Sequence, residues 1–454
     1  MTERSAGGAA APQRAEGKAA RERVPRSSHA HWKPPTDRPD PLELLQRDDE
    51  GRIPELLPTR YGRMLESPFS FYRGAASIMA NDLQSTPHAG IVTQICGDAH
   101  LANFGIFATP ERRLVFDVND FDETTPGGAW EWDVKRLAAS FVVAGRFLAL
   151  RARSRARITL ACVRSYRERI QQFADMHVLD VWYARIDESA FVVPSVRLPS
   201  GLDTPSHTSE ELYGKLVDAS SGSPRIADKP PDVFHPNDPE FVDRVIKTFA
   251  HYGRSLPTDR RVLFERFTFL DAAYKVVGVG SVGTRCAVAL FLASAGDPLF
   301  LQIKEARASV YERYVGKCGF SDHGERVVAG QHLMQAATDI FLGWGRADDG
   351  RDYYVRQLRD MKAGADVAHM NEDELERYAI VCGWALARAH AKSGGVAATI
   401  AGYLGRSDVF DEALVTFSEA YADQNELDHA ELAKAVADRR IVAAPPGAAS
   451  PAHG

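Results

Sequence analysis

Residues Ile95–Glu123 read ICGDAHLANFGIFATPERRLVFDVNDFDE, and the rest of the chain is interpreted outward from them. Asp98 stands five residues before Asn103, and carboxylates return at Asp117, Asp120, Asp122 and Glu123. An aspartate, a nearby asparagine and an acid from the next strand are what phosphoryl transfer uses to accept a hydroxyl proton and complete a magnesium shell. The apolar runs Ile91–Ile95 and Leu114–Val118 predict strands on either side. Gly97–Asn103 is then a tight loop at a strand end, where side chains are displayed without disturbing a core. Asp98 is the natural base, and His100 is a candidate to orient it or the loop. Four carboxylates within seven positions would repel unless a cation lay among them. Counting gives nineteen residues from Asp98 to Asp117 and twenty-two to Asp120. Both separations suit a strand-loop-strand return, so either acid could join Asn103 on the metal.

A second constellation lies far downstream. Gly278, Gly280 and Gly283 form G-x-G-x-x-G, which by itself also suits a dinucleotide-binding turn. That turn needs a helix after the glycines. Here Cys286–Ala293 follows instead, turns at Ser-Ala-Gly-Asp-Pro and returns as Leu299–Lys304. A glycine flap between strands, with a lysine ending the next strand, is the arrangement that covers and grips ATP phosphates. Lys304 then needs a helix glutamate to fix it. Glu325, on the helix predicted over Glu325–Ala337, is favoured over Glu312. Tyr353–Lys362 would be the strand and hinge against which an adenine docks.

A chain of 454 residues exceeds one comfortable core, which predicts two packed lobes. Residues 1–40 read as a flexible N-terminal arm and 41–235 as the part carrying the acid loop. Residues 236–400 read as an ATP-lobe-like part with glycine loop, lysine and hinge, 401–442 as C-terminal helices and 443–454 as a flexible tail. The polar stretch Pro199–Pro239 marks the connection, and helices are expected over Tyr61–Leu83, Trp130–Leu150 and Asp373–Lys392. The composition, 44% hydrophobic and 26% charged, is that of a soluble globular protein without a membrane-length apolar run. A net charge of -6 with no Lys/Arg run leaves no nucleic-acid footprint. Five scattered cysteines without a C-x-x-C pair fit reduced thiols in a cytosol. Cys96, in an apolar strand, reads as a packing thiol. Arg60, Arg63 and Arg73 are either salt-bridged helix arginines or a clamp for a substrate phosphate or carboxylate. Lys135 and Arg136 read as neutralising the acids, and His390 as a packed histidine.

From Pro25-Arg26-Ser27 through RYGRMLESPFSFYRGAA, CGDAHLANFG, FDVNDFDE, WEWDVKRLAAS, LQIKEA, GQHLMQAATDIFLGW and YYVRQLRDMK, the chain closely resembles the bacterial family called domain of unknown function 2252. That family is grouped with the protein-kinase-like superfamily, because GDAHLANFG is similar to the G-D-x-H-x-x-N loop of aminoglycoside and choline phosphotransferases. The resemblance implies a catalytic Asp98, a metal-binding Asn103, a metal-binding Asp117 or Asp120, and a structural Asp133. The order departs from those enzymes. Their glycine loop and lysine precede the catalytic loop, whereas here Gly278 and Lys304 follow it. GWALARAHAKSG, similar to the helix that normally leads into the loop, comes at 383–394.

The expectation is an α+β, two-lobed protein-kinase-like fold, circularly permuted. It would bind ATP and Mg and transfer a phosphoryl group to a small hydroxylated acceptor in the cytoplasm. A non-catalytic nucleotide-binding pseudokinase, a nucleotidyltransferase on the same fold, and a metal-dependent phosphoester hydrolase built from Asp98, His100 and Asp120 are the alternatives.

Overall fold

A computed structural model describes residues 10–187, 205–219, 224–276, 278–294, 296–358 and 363–445. The segment expected to be a flexible arm is helical from Ala10, and α1 (Ala10–Arg23) lies against the helix Ala397–Leu404. The Ala and Gly content that suggests flexibility is a packing surface. A Cβ on Gly17 would meet the Thr399 carbonyl oxygen at 2.0 Å, and one on Gly402 that of Arg14 at 2.3 Å, so the two backbones touch. Arg21 Nε donates to Tyr403 O at 2.7 Å, and the buried His29 ring shares a 2.7 Å hydrogen bond with Tyr403 Oη. In the expected tail, Ala444 N donates to Pro58 O at 2.8 Å, and 446–454 lie outside the described residues.

The helix expected over Tyr61–Leu83 is three shorter ones, Leu57–Leu65, α2 (Pro68–Gly74) and Ala76–Leu83. Pro68 opens a new first turn capped by the Ser67 hydroxyl, and Ala75 leaves helical geometry at φ -115 and ψ 41. Further on, α3 (Trp130–Phe147) is buried at every residue from Trp130 to Gly145. Its Glu131, Asp133, Lys135 and Arg136 must therefore find partners inside the protein. Trp130 stacks on Tyr166 of α4 (Ala152–Asp175), ring centroids 5.7 Å apart.

The acid-bearing region folds as β1 (Val92–Ile95), β2 (Phe104–Ala108), β3 (Leu114–Val118) and β4 (Thr125–Ala129). β1 pairs antiparallel with β4. β2 and β3 form a hairpin that sets Gly105 opposite Asp117. Every residue of β2 and β3 is buried, which explains their continuous rather than alternating apolar pattern.

The second half builds an antiparallel sheet of β5 (Val233–Phe234), β6 (Phe267–Lys275), β7 (Cys286–Ala293), β8 (Pro298–Ala306), β9 (Gly343–Arg346) and β10 (Asp352–Gln357). Its order is β9-β10-β8-β7-β6-β5. Lys304 faces Cys286 on one side and Tyr354 on the other, so it sits on a central strand. Between β8 and β9 lies α5 (His323–Met334), started by the Asp322 carboxylate on the Gly324 and Glu325 N–H groups. The helix Phe241–Ser255 covers one face, with Phe249 edge-on to Phe291 at 4.8 Å.

After the sheet, α6 (Glu372–Gly394) begins with an Asn371/Glu374 capping box. It packs on α4 and β3, with Gly383 so close to α4 that a Cβ would meet Cys162 O at 2.2 Å. The sheet-bearing part therefore ends near Leu358 rather than at 400, and α6 belongs with the helices beneath the acid loop. Of the expected hinge, 359–362 lie outside the described residues, as do 199–204 and 220–223 of the connection, where 205–216 is helical. The architecture is α+β. Among the described residues, no helix is long and apolar enough to cross a membrane.

Candidate active site

The loop after β1 depends on Gly97. Its φ is +84°, and a Cβ there would meet Glu123 O at 2.3 Å. The Asp133 carboxylate, reaching up from α3, accepts from Cys96 N at 2.6 Å and Gly97 N at 2.9 Å. Behind it, His390 Nε2 lies 3.1 Å from Asp133, and Tyr166 Oη lies 2.8 Å from His390 Nδ1. His100 Nδ1 accepts from Ala102 N at 3.2 Å, and Asn103 Nδ2 donates to Asp98 O at 2.8 Å, which closes the loop on itself.

Asp98 projects from this loop onto Arg136 of α3, whose Nε and Nη2 lie 2.9 Å and 2.7 Å from Oδ1. His100 Nε2 is 3.6 Å from Oδ2. Burial raises the Asp98 pKa above the ordinary carboxylate range, against the opposing pull of Arg136. Burial, Arg136 and Arg73 push His100 far below its usual value, so the imidazole is neutral.

The two aspartates left open by spacing differ sharply. Asp117 is fully buried, accepting from Arg388 Nη2 at 2.8 Å and 2.7 Å and from Ala336 N at 2.8 Å. It ties α6 to β3 and is sealed from any ligand. Asp120 keeps 33% side-chain exposure. Lys304 Nζ lies 3.5 Å from Asp120 and 2.6 Å from Asp122, which also accepts from Tyr354 Oη at 2.7 Å. Burial alone would lower the Lys304 pKa, but Asp120 and Asp122 outweigh it and hold it well above the usual value.

Among the described residues Lys304 pairs with Asp120 and Asp122, and no ion pair joins it to Glu325 or Glu312. Glu325 lies in the first turn of α5, and Glu312 sits 3.6 Å from Arg326. The α5 residue that shares a cavity with Lys304 is Gln331, whose side-chain oxygen is buried without a hydrogen-bond partner.

Gly278 and Gly283 take φ of +64° and +87°, which an L side chain rarely adopts. The glycine loop is held from the N-terminal side. Arg52 Nη1 donates to Gly280 O at 2.8 Å and Val282 O at 2.7 Å, Arg63 to Gly278 O at 2.7 Å, and Ile53 N to Gly283 O at 2.7 Å. A cavity of about 510 Å³ brings Asp98, His100, Asn103, Asp120, Gly278 and Gly280 together. It adjoins one of about 270 Å³ lined by Lys304, Gln331, Arg356 and Leu358, with Asp120, Gly278 and Ser281 on both. Gly283 is turned away against Arg52.

A family model described as "Uncharacterized protein conserved in bacteria (DUF2252)" matches residues 52–435. The chain belongs to the DUF2252 family. No curated protein and no solved structure matches it. The match to DUF2252 spans both the acid loop and the glycine-loop sheet, and apart from Arg47 and Asp48 the residues lining the two cavities lie within it.

Three features of this DUF2252 site were not chosen from the sequence. Asp122 was counted among the acids but not paired with Lys304. Arg136 was read as general neutralisation, although α3 aims it at Asp98 alone among the acids. Arg52 carried no local signal of its hold on the glycine loop, because its two partners there lie more than two hundred residues away.

Proposed function

We propose that the chain is a phosphotransferase of kinase-like, circularly permuted architecture that uses Mg-ATP on a small hydroxylated acceptor. The observation that carries this reading is the contact of Lys304 with Asp122 and Asp120, which joins the glycine-loop sheet to the acid loop across adjoining cavities. The succession of glycine turn, lysine strand and following helix supports it, being the order of kinase ATP-binding parts.

Asn103 and Asp120 would hold magnesium. Asn103 commits its amide nitrogen to Asp98 O, which leaves its oxygen for a cation, and Asp120 is open to the cavity. Such a pair of hard oxygens suits an ion that takes one or two protein ligands and completes its shell with phosphates and water. When bound, the ion would neutralise phosphate charge. Lys304 and the glycine-loop N–H groups would grip the phosphates. Asp98, held by Arg136, would accept the acceptor's hydroxyl proton as its oxygen bonds to the γ-phosphorus and the bond to ADP breaks.

A second reading, nucleotide binding without transfer, draws on Gln331, an uncharged side chain where a glutamate would fix Lys304. Calorimetry with Mg-ATP and an ADP-release assay over a panel of hydroxylated compounds separate the two. Asp98→Asn should keep ATP affinity and lose about 10²–10⁴-fold in ADP release. Undiminished turnover would remove Asp98 from its role, ATP binding without any ADP favours the second reading, and pyrophosphate in place of ADP indicates nucleotidyl transfer.

A further inference from the structure

The larger cavity is lined by acids and arginines together, and several of those acids are already paired. Asp98 is spent on Arg136 and Asp122 on Lys304, while Glu305 lies 3.3 Å from Arg285. Arg73, on α2, is different. Among the described residues it has no ion pair or side-chain hydrogen bond. Its contact is the Phe69 ring, centroid 5.8 Å from Cζ, and its Nε is buried without a partner. Its charge acts on both Asp98 and His100. Arg307, on the same cavity, donates to the backbone oxygens of Asp48 and Glu50, and among the described residues no carboxylate pairs with it. Burial and the neighbouring Arg60 and Arg307 push Arg52 down to about 9.

A guanidinium half out of water and without a carboxylate is costly unless something arrives to pair with it. Its planar fork fits two oxygens of one anionic group. We propose that the cavity takes an acceptor bearing a carboxylate or phosphate monoester, held by Arg73 while a hydroxyl of the same molecule faces Asp98. The word acceptor rests on the phosphotransferase reading; the anion site rests on the cavity alone.

The test is calorimetry on the full chain with matched ligands: glycerol, glycerate and glycerol 3-phosphate, and glucose, gluconate and glucose 6-phosphate. Wild type is compared with Arg73→Gln and Arg73→Lys, and ADP release with Mg-ATP is followed in parallel. An anionic member should bind where its neutral counterpart does not. Arg73→Gln should weaken it by about tenfold or more, with Arg73→Lys intermediate. The carboxylate and phosphate arms identify which group is held. Anions that bind no better than the neutral compounds, or equally well to Arg73→Gln, overturn the proposal. Anions that bind through Arg73 while no ligand yields ADP leave the anion site standing and remove the phosphotransferase reading instead.

Discussion

Asp117 and Asp120 stand three positions apart in one acidic run and have opposite environments. Spacing alone admitted both, because the residue that separates them, Arg388, is 271 positions from Asp117 and leaves no mark near the motif. Asp117→Asn should therefore act on folding. It strands a buried guanidinium, for which about 3–5 kcal/mol is the usual cost, and the melting temperature should fall. Asp120→Asn should melt close to wild type and lose magnesium-dependent ADP release. Melting curves and the ADP assay on both variants check this, and an inactive but stable Asp117→Asn would reverse the assignment. Glu325 shows the same limit: its helical position is legible in the sequence, but the acids of the preceding half that contact Lys304 are not.

Elements were legible where their signals are local. The Asn371/Glu374 box, the Asp322 cap and the turn between β7 and β8 all lie within a few residues of the boundaries they set. Tyr61–Leu83 was read too long because apolar spacing runs through Pro68 although the backbone does not. The first helix was missed because Ala and Gly signal flexibility and close backbone contact alike. Gly402→Val should wedge α1 off its partner helix, since the added Cβ meets Arg14 O at 2.3 Å. The expected loss is on the order of 2–3 kcal/mol, typical of overpacking. Hydrogen exchange across Ala10–Arg23 should rise with it, and unchanged protection there would mean that the contact carries no weight.

At the scale of the molecule, the acid loop and the glycine-loop sheet each announced themselves. Their meeting is expected from the resemblance and leaves no local mark, because it is made by single contacts between residues nearly two hundred positions apart. One such region also sets a pH dependence. Burial pushes Glu123 up to about 7, while its N–H partner Val310 pulls the other way. The folded pKa thus lies above the value of about 4.3 for a free glutamate. The stability it contributes is complete below that value and is lost as pH rises through 7. Glu123→Gln, which cannot ionise, should melt with wild type near pH 5 and above it near pH 8.5, by on the order of 2 kcal/mol after allowing for partial exposure. A variant that melts below wild type at the alkaline end would contradict this. The chain of Tyr166, His390 and Asp133 beneath Gly97 has a different consequence. Inherited changes that alter rate can arise deep in the helical layer, on side chains no bound molecule ever meets, and a survey of variants confined to the rim of the cavity would overlook them.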